Sequence, residues 1–180
     1  MVKVAAAVVL VMLVMLQTAW AEGLNALEDA MRKDPDRFRV MAEDVIAGFG
    51  GPAGLAPAGI EEHVALERAT ARAAAMRRLL AMDLDNDRTV TRAELGVTLR
   101  AVSATARGRL ERQFSAADTD ADNQINAAEM RSEGQAAALR ALTDAEVAVL
   151  RALMTLDADQ DGALALPELR KALQRLDEVT

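Results

Sequence analysis

The twelve residues DTDADNQINAAE, Asp118 to Glu129, place carboxylates at the first, third, fifth and twelfth positions of one short segment, with Ile125 at the eighth. Alternate residues of a tight loop can turn their side chains toward a common centre. A longer Glu on the first turn of a following helix can close that centre from the far side. Four carboxylates converging with no cation between them would repel one another. The segment therefore implies a site for a hard, oxygen-seeking cation. Its side-chain ligands would be Asp118, Asp120, Asp122 and Glu129, and Gln124 at the seventh position would supply a backbone carbonyl.

The same grid recurs on both sides. DLDNDRTVTRAE, Asp83 to Glu94, carries Asp83, Asp85, Asp87 and Glu94, with Thr89 at the seventh position and Val90 at the eighth. DADQDGALALPE, Asp157 to Glu168, carries Asp157, Asp159, Asp161 and Glu168, with Ala163 and Leu164 at those two positions. The ninth positions are Thr91, Asn126 and Ala165, where a ligand water is common; Ala165 can only leave room for one. A single Asp cluster is often no more than a solvated turn that caps a helix. Here the flanks agree as well. Leu79, Leu80 and Met82 precede the first loop, Phe114 the second, and Leu153 and Leu156 the third, while Leu95, Met130 and Leu169 follow at position 13. These apolar residues would form the inner faces of helix-loop-helix units.

The repeated D-x-D-x-D-x-x-φ-x-x-x-E pattern, over roughly residues 70 to 178, resembles the EF-hand calcium-binding superfamily. The resemblance implies an all-α fold of paired helix-loop-helix units in a calmodulin-like arrangement, with short β-bridges between paired loops at position 8. It also implies calcium as the ligand, up to three ions. A bidentate Glu at position 12 suits calcium better than magnesium, which demands a tight octahedron and keeps its waters. Since such units pair, three loops predict a fourth. At the spacing that separates Asp83 from Asp118, the segment upstream of Asp83 is GFGGPAGLAPAG, Gly48 to Gly59, which has no carboxylate. Leu55 falls at its position 8 and Ile60 at position 13, after a helix-like stretch from Asp36 to Ala47. It reads either as a degenerate loop that binds no metal or as an ordinary Gly/Pro-rich connection. Pairing in chain order would give an N-terminal pair within residues 22–106 (loops 48–59 and 83–94) and a C-terminal pair within 107–180 (loops 118–129 and 157–168).

Position 6 of such a loop takes positive φ and is usually Gly. Only Gly162 satisfies this; Asn123 tolerates the left-handed region, and Arg88 is expected to cost roughly 1 kcal/mol there, making loop 83–94 the weakest. Pro167, at position 11, lies where a helix start tolerates a missing amide donor. Ser103 to Gly108 is expected to separate the units at 83 and 118, and Thr143-Asp144-Ala145-Glu146 has the form of a capping box. The run from Ile60 to Met82 contains no Gly or Pro, so it reads as one long helix or as two with a break near Thr70.

Composition limits the remaining choices. Half of the 180 residues are apolar (52%), enough for a packed core, and aromatics are confined to Trp20, Phe38, Phe49 and Phe114, which favours helices. With no Cys and one His, His63, there is no thiol nucleophile, no zinc-thiolate site and no His-based triad. His63 is expected on a helix surface. No nucleophile–base pair or phosphate-cradling Gly loop can be nominated, so the expected role is not enzymatic. A net charge of -7 disfavours nucleic acid as a partner.

At the N-terminus, Lys3 is followed by an uncharged run and by Ala19-Trp20-Ala21, the small-x-small arrangement of a cleavage site. Residues 1–21 read as an export signal helix, so the expected location is periplasmic or secreted; the alternative is a retained membrane anchor. The expected function is that of a calcium sensor or buffer with a protein target. A calcium-stabilised structural or interaction module, held at a membrane only if the N-terminal segment is kept, is the alternative. A sensor needs an apolar surface, and Met76, Met82, Met130 and Met154 are candidates either for that surface or for plain core.

Overall fold

A computed structural model describes residues 25–177. The signal helix expected over residues 1–21 lies outside the described residues. Residues 25–33 are helical, followed by α1 (Pro35–Phe49), α2 (Pro57–Leu80), β1 (Val90–Thr91), α3 (Arg92–Arg100) and α4 (Ala104–Ala117). Then come β2 (Gln124–Ile125), α5 (Ala127–Ala141), α6 (Asp144–Ala152), a single 3-10 turn (Leu153–Leu156) and α7 (Leu166–Asp177). The protein is all-α apart from short bridges between loops. No helix among the described residues is long and apolar enough to cross a membrane.

The helices start where local chemistry allows. Asp34 accepts from the Arg37 amide at the head of α1, with Pro35 at the first helical position, where its missing donor costs nothing. Thr91 and Asn126 form reciprocal capping boxes with Glu94 and Glu129, so the twelfth loop residue also caps the exiting helix. Ser103 caps α4, whereas Gly108 lies inside that helix; the break expected across 103–108 is confined to its start. The run from Ile60 to Met82 is a single helix as far as Leu80, without a break at Thr70.

The chain divides into two compact units. The central one spans Leu66–Thr143; the other combines the residues up to Ala65 with those from Asp144 onward. In the central unit, Val90 pairs antiparallel with Ile125 and Thr91 with Gln124. Beneath that bridge Leu79, Met82, Val90, Leu95, Phe114, Ala117, Ile125 and Met130 form one buried cluster. The position-8 and position-13 residues therefore occupy the core, and Met82 and Met130 belong to it rather than to an open surface. Gly134 lets α5 approach α2, since a Cβ there would lie 3.0 Å from Met76 Cγ and 3.1 Å from Arg72 Cγ.

In the second unit the Leu55 amide donates to the Leu164 carbonyl (3.0 Å) and the Leu164 amide to that of Leu55 (2.9 Å). The glycine-rich loop thus meets loop 157–168 through their two position-8 residues. This corrects the pairing expected from chain order: loop 83–94 pairs with 118–129, and loop 48–59 with 157–168, so the domain limits 22–106 and 107–180 do not describe the units. The physical reason is that the segment between Gly59 and Asp83 is mostly one helix, α2, which begins in one unit and ends in the other. Arg151 with Glu61, and Arg170 with Glu43, add ion pairs within the second unit; both pairs are partly solvated and contribute little.

Gly54 has a specific requirement. Its φ is +130°, and a Cβ there would lie 2.5 Å from the Leu164 carbonyl oxygen, a backbone atom that cannot move aside cheaply. Gly54→Ala is expected to destabilise the protein by roughly 1–3 kcal/mol in denaturant titrations. Amide exchange at Leu55 and Leu164 should accelerate with it; unchanged protection there would contradict the account.

Candidate metal centre

Each of the three acidic loops folds around its own carboxylates. In loop 118–129, Asp118 accepts from the amides of Asp122 (3.1 Å) and Asn123 (3.1 Å), and Asp120 from that of Asp122 (3.2 Å). Asp122 accepts from the Gln124 amide at 2.7 Å. Loop 83–94 repeats this pattern, with Asp83 accepting from Asp87 and Arg88, Asp85 from Asp87, and Asp87 from Thr89. In loop 157–168 Asp157 accepts from Gln160 and Gly162, Asp159 from Asp161, and Asp161 from Ala163. These bonds turn the short side chains inward and use the amides that a tight loop would otherwise leave bare.

The twelfth residue closes each loop. Glu94 accepts from the amides of Leu84 (2.7 Å) and Thr91 (2.8 Å). Glu129 accepts from the Thr119 amide (2.7 Å), the Thr119 hydroxyl (2.9 Å) and the Asn126 amide (3.1 Å). Glu168 accepts from Ala158 (2.8 Å) and Ala165 (3.0 Å). The second and ninth positions thus hold the glutamate through backbone donors, a role that side-chain patterns do not reveal.

As a result, one oxygen each from Asp83, Asp85 and Glu94 lies within 4.8 Å of the others; the same holds for Asp118, Asp120 and Glu129, and for Asp157, Asp159 and Glu168. Oxygens bound at calcium's usual distance of about 2.4 Å can be no farther apart than roughly 5 Å, so each trio fits one such ion. Asp87, Asp122 and Asp161 are directed at the amides of Thr89, Gln124 and Ala163 and stand outside the trios. Thr89 and Ala163 sit at the loop turn and Gln124 in β2, so these three enter the geometry through their backbone.

The backbone pays for this curvature at two positions per loop. Position 6 has φ of 73° at Arg88, 66° at Asn123 and 89° at Gly162; position 4 has 62° at Asn86, 59° at Ala121 and 60° at Gln160. Asn tolerates that region, but Arg, Ala and Gln do so at a cost. Arg88→Gly should stabilise the metal-free protein by about 0.5–1 kcal/mol, the gain in strain being partly offset by glycine's entropy, and should raise the affinity of loop 83–94. Denaturant melts with a calcium titration check this, and a weaker loop would contradict it.

The electrostatics follow from the same contacts. The amide of Thr91 is the main cause holding the Glu94 carboxyl below the usual range, aided by the Thr91 hydroxyl and the Leu84 amide. At Glu129 burial acts to raise the value, but the amides of Asn126 and Thr119 and the Thr119 hydroxyl together lower it. Glu168 is lowered by the amides of Ala165 and Ala158. Asp159 runs the other way: the Asp161 amide lowers it, yet desolvation and the charges of Asp161, Glu168 and Asp157 leave it raised.

A carboxyl that titrates lower when folded lends stability above its unfolded value and loses it as pH falls through the folded one; a raised carboxyl acts in reverse. Three lowered glutamates outnumber one raised aspartate. The melting temperature of the metal-free protein should therefore decline as pH drops below about 4.5. A melting series from neutral to acidic pH measures it, and a temperature that rose toward acid would contradict the contacts above.

His63, placed by sequence on a helix surface, is half-buried: its ring lies 4.9 Å from that of Phe49, and its Nδ1 has no hydrogen-bond partner among the described residues.

Comparison with known families adds one finding. Residues 110–132 match the family model of the EF hand, covering the end of α4, loop 118–129 and the first part of α5. No curated protein and no solved structure matches the chain. The matched helix-loop-helix, the two further acidic trios and the position-8 bridges agree with one another, and the segment from residue 110 to 132 is similar to the EF hand of calcium-binding proteins.

Proposed function

We propose that the chain binds up to three calcium ions, one in each of loops 83–94, 118–129 and 157–168, and acts as a calcium sensor or buffer. The observation that carries this reading is that the same three positions in each loop bring carboxylate oxygens within 4.8 Å of one another. The side-chain ligands would be the aspartates at positions 1, 3 and 5 and the glutamate at position 12, with the carbonyls of Thr89, Gln124 and Ala163 completing the shells. The calcium ion supplies the positive charge that lets these carboxylates stay together. The chain's own contribution is to hold each glutamate against two backbone amides, ready to close. Loops 83–94 and 118–129 share a bridge, so they form a coupled pair of sites; loop 157–168 is partnered by the carboxylate-free loop 48–59 and stands as a single site.

Equilibrium dialysis against micromolar calcium in millimolar magnesium tests the reading: retained calcium supports it, and displacement of all calcium by magnesium opposes it. A second reading, a calcium-stabilised interaction module, is favoured by the placement of Met82 and Met130 inside the core. Apolar-dye fluorescence that rises with calcium favours a sensor; a raised melting temperature without dye binding favours the module. Export through the N-terminal segment, or anchoring by it, belongs to the same proposal, and N-terminal sequencing of the protein recovered from cells distinguishes the two.

A further inference from the structure

The second position of the three acidic loops is filled by three different residues, Leu84, Thr119 and Ala158. In each loop the amide of that residue donates to Oε1 of the closing glutamate. Thr119 adds a side-chain donor that the leucine and the alanine lack. Its hydroxyl lies 2.9 Å from Glu129 Oε1, beside its own amide at 2.7 Å, while the Asn126 amide holds Oε2 from the other end of the loop at 3.1 Å. Loop 83–94 also sets a hydroxyl on its glutamate, but from position 9. There Thr91 donates to Glu94 Oε2 and accepts from the Glu94 amide, so its hydroxyl is shared with the helix start. Among the described residues, Glu168 is held by amides alone.

The surroundings of the three glutamates differ in the same sense. Glu129 is 6% exposed, whereas Glu94 and Glu168 are half-buried. A half-buried carboxylate that releases one donor finds water in its place. A buried one finds none and is left as an ion short of a partner, which is strongly unfavourable. Glu129 is thus fixed with both oxygens gripped from opposite ends of its loop, and the Thr119 hydroxyl strengthens the grip on Oε1.

We propose that Thr119 is a positioning residue that makes loop 118–129 the tightest and most calcium-selective of the three. The proposal rests on the calcium reading above. Calcium takes both oxygens of such a glutamate into a loose shell, while magnesium demands a tight octahedron that has room for one of them. A carboxylate gripped at both oxygens is arranged for calcium before the ion arrives, and must break a grip to serve magnesium. The hydroxyl therefore favours calcium twice, by removing a reordering step for one ion and adding one for the other. The side chains of Leu84 and Ala158 can do neither.

The test uses the full chain carrying Glu94→Gln and Glu168→Gln, a background in which loop 118–129 keeps its whole ligand set, and titrates calcium and magnesium separately by calorimetry. Thr119→Val keeps the branched shape and removes the hydroxyl. In that background it should weaken calcium binding by about tenfold and magnesium binding by less than about twofold, so that the preference between the ions shrinks. Thr119→Ser, which keeps the hydroxyl, should hold both affinities within about twofold of the background. Without metal, Thr119→Val should melt lower by about 5 °C and Thr119→Ser should not, because the grip exists before the ion. Equal losses for the two metals, unchanged calcium affinity or metal-free melting in Thr119→Val, or a Thr119→Ser variant as weak as Thr119→Val would each overturn the proposal alone. So would calcium binding by the unsubstituted chain that vanishes in the two-glutamine background, since the proposal makes loop 118–129 the strongest site. Absence of calcium heats in the unsubstituted chain would overturn the calcium reading and the proposal together.

Discussion

Replacement of Glu129 by Gln is expected to weaken calcium binding in loop 118–129 by at least about a hundredfold, since altering even the outer partners of a metal ligand typically costs ten- to a hundredfold. Glu129 is the sole buried charged residue among those described, at 6% exposure, and its two oxygens accept from three donors, the Thr119 amide and hydroxyl and the Asn126 amide. A glutamine keeps one acceptor but turns an NH2 group toward one of these donors. The metal loses a negative, bidentate ligand, and the metal-free loop loses a bond that it needs. Both effects follow from one substitution, so the variant should also melt lower without calcium, by roughly 1–3 kcal/mol. A titration together with metal-free melts measures both. Unchanged affinity would remove Glu129 from the ligand set, and unchanged metal-free stability would show that its amide contacts do not matter.

Removal of calcium is the second large effect. A ligand present at about a thousand times its dissociation constant stabilises the folded state by roughly 4 kcal/mol per site. For units of this size that corresponds to a melting shift of at least about 15 °C. The chelated protein is thus expected to melt far below the calcium-loaded one, and the central unit, which carries two of the loops, should lose most. Its core is small, with Phe114 its one aromatic side chain, and the bridge between Val90 and Ile125 holds both loops over it. Thermal scans in chelator and in millimolar calcium check this, and coincident curves would contradict it.

The loops were legible because their chemistry is local. A ligand grid, a position-8 apolar residue and a position-13 apolar residue all lie within one short stretch, and Val90, Ile125, Leu164, Leu95, Met130 and Leu169 are indeed buried. Leu55 and Ile60 could be placed in a loop without any ligand by spacing alone, and both are buried too. Which loop meets which is not local. Chain order suggested neighbours, but a continuous α2 and the reciprocal bonds between Leu55 and Leu164 produce the other pairing. The positive φ at Ala121 and Gln160 was equally hidden, because neither residue type signals it; Asn86, at the same position of its loop, could have done so. Side chains chosen for backbone donors, such as the amides of Leu84, Thr119 and Ala158, leave no trace in composition at all.

The most direct test of the account is a calorimetric titration of calcium into the metal-stripped chain, beside the Glu129→Gln, Glu168→Gln double variant. The account predicts about two or three sites in the parent, with binding in the variant reduced to what loop 83–94 retains on its own. A parent that gives no calcium heat, or a variant with the parent's full stoichiometry and affinity, would contradict the assignment of these loops to calcium.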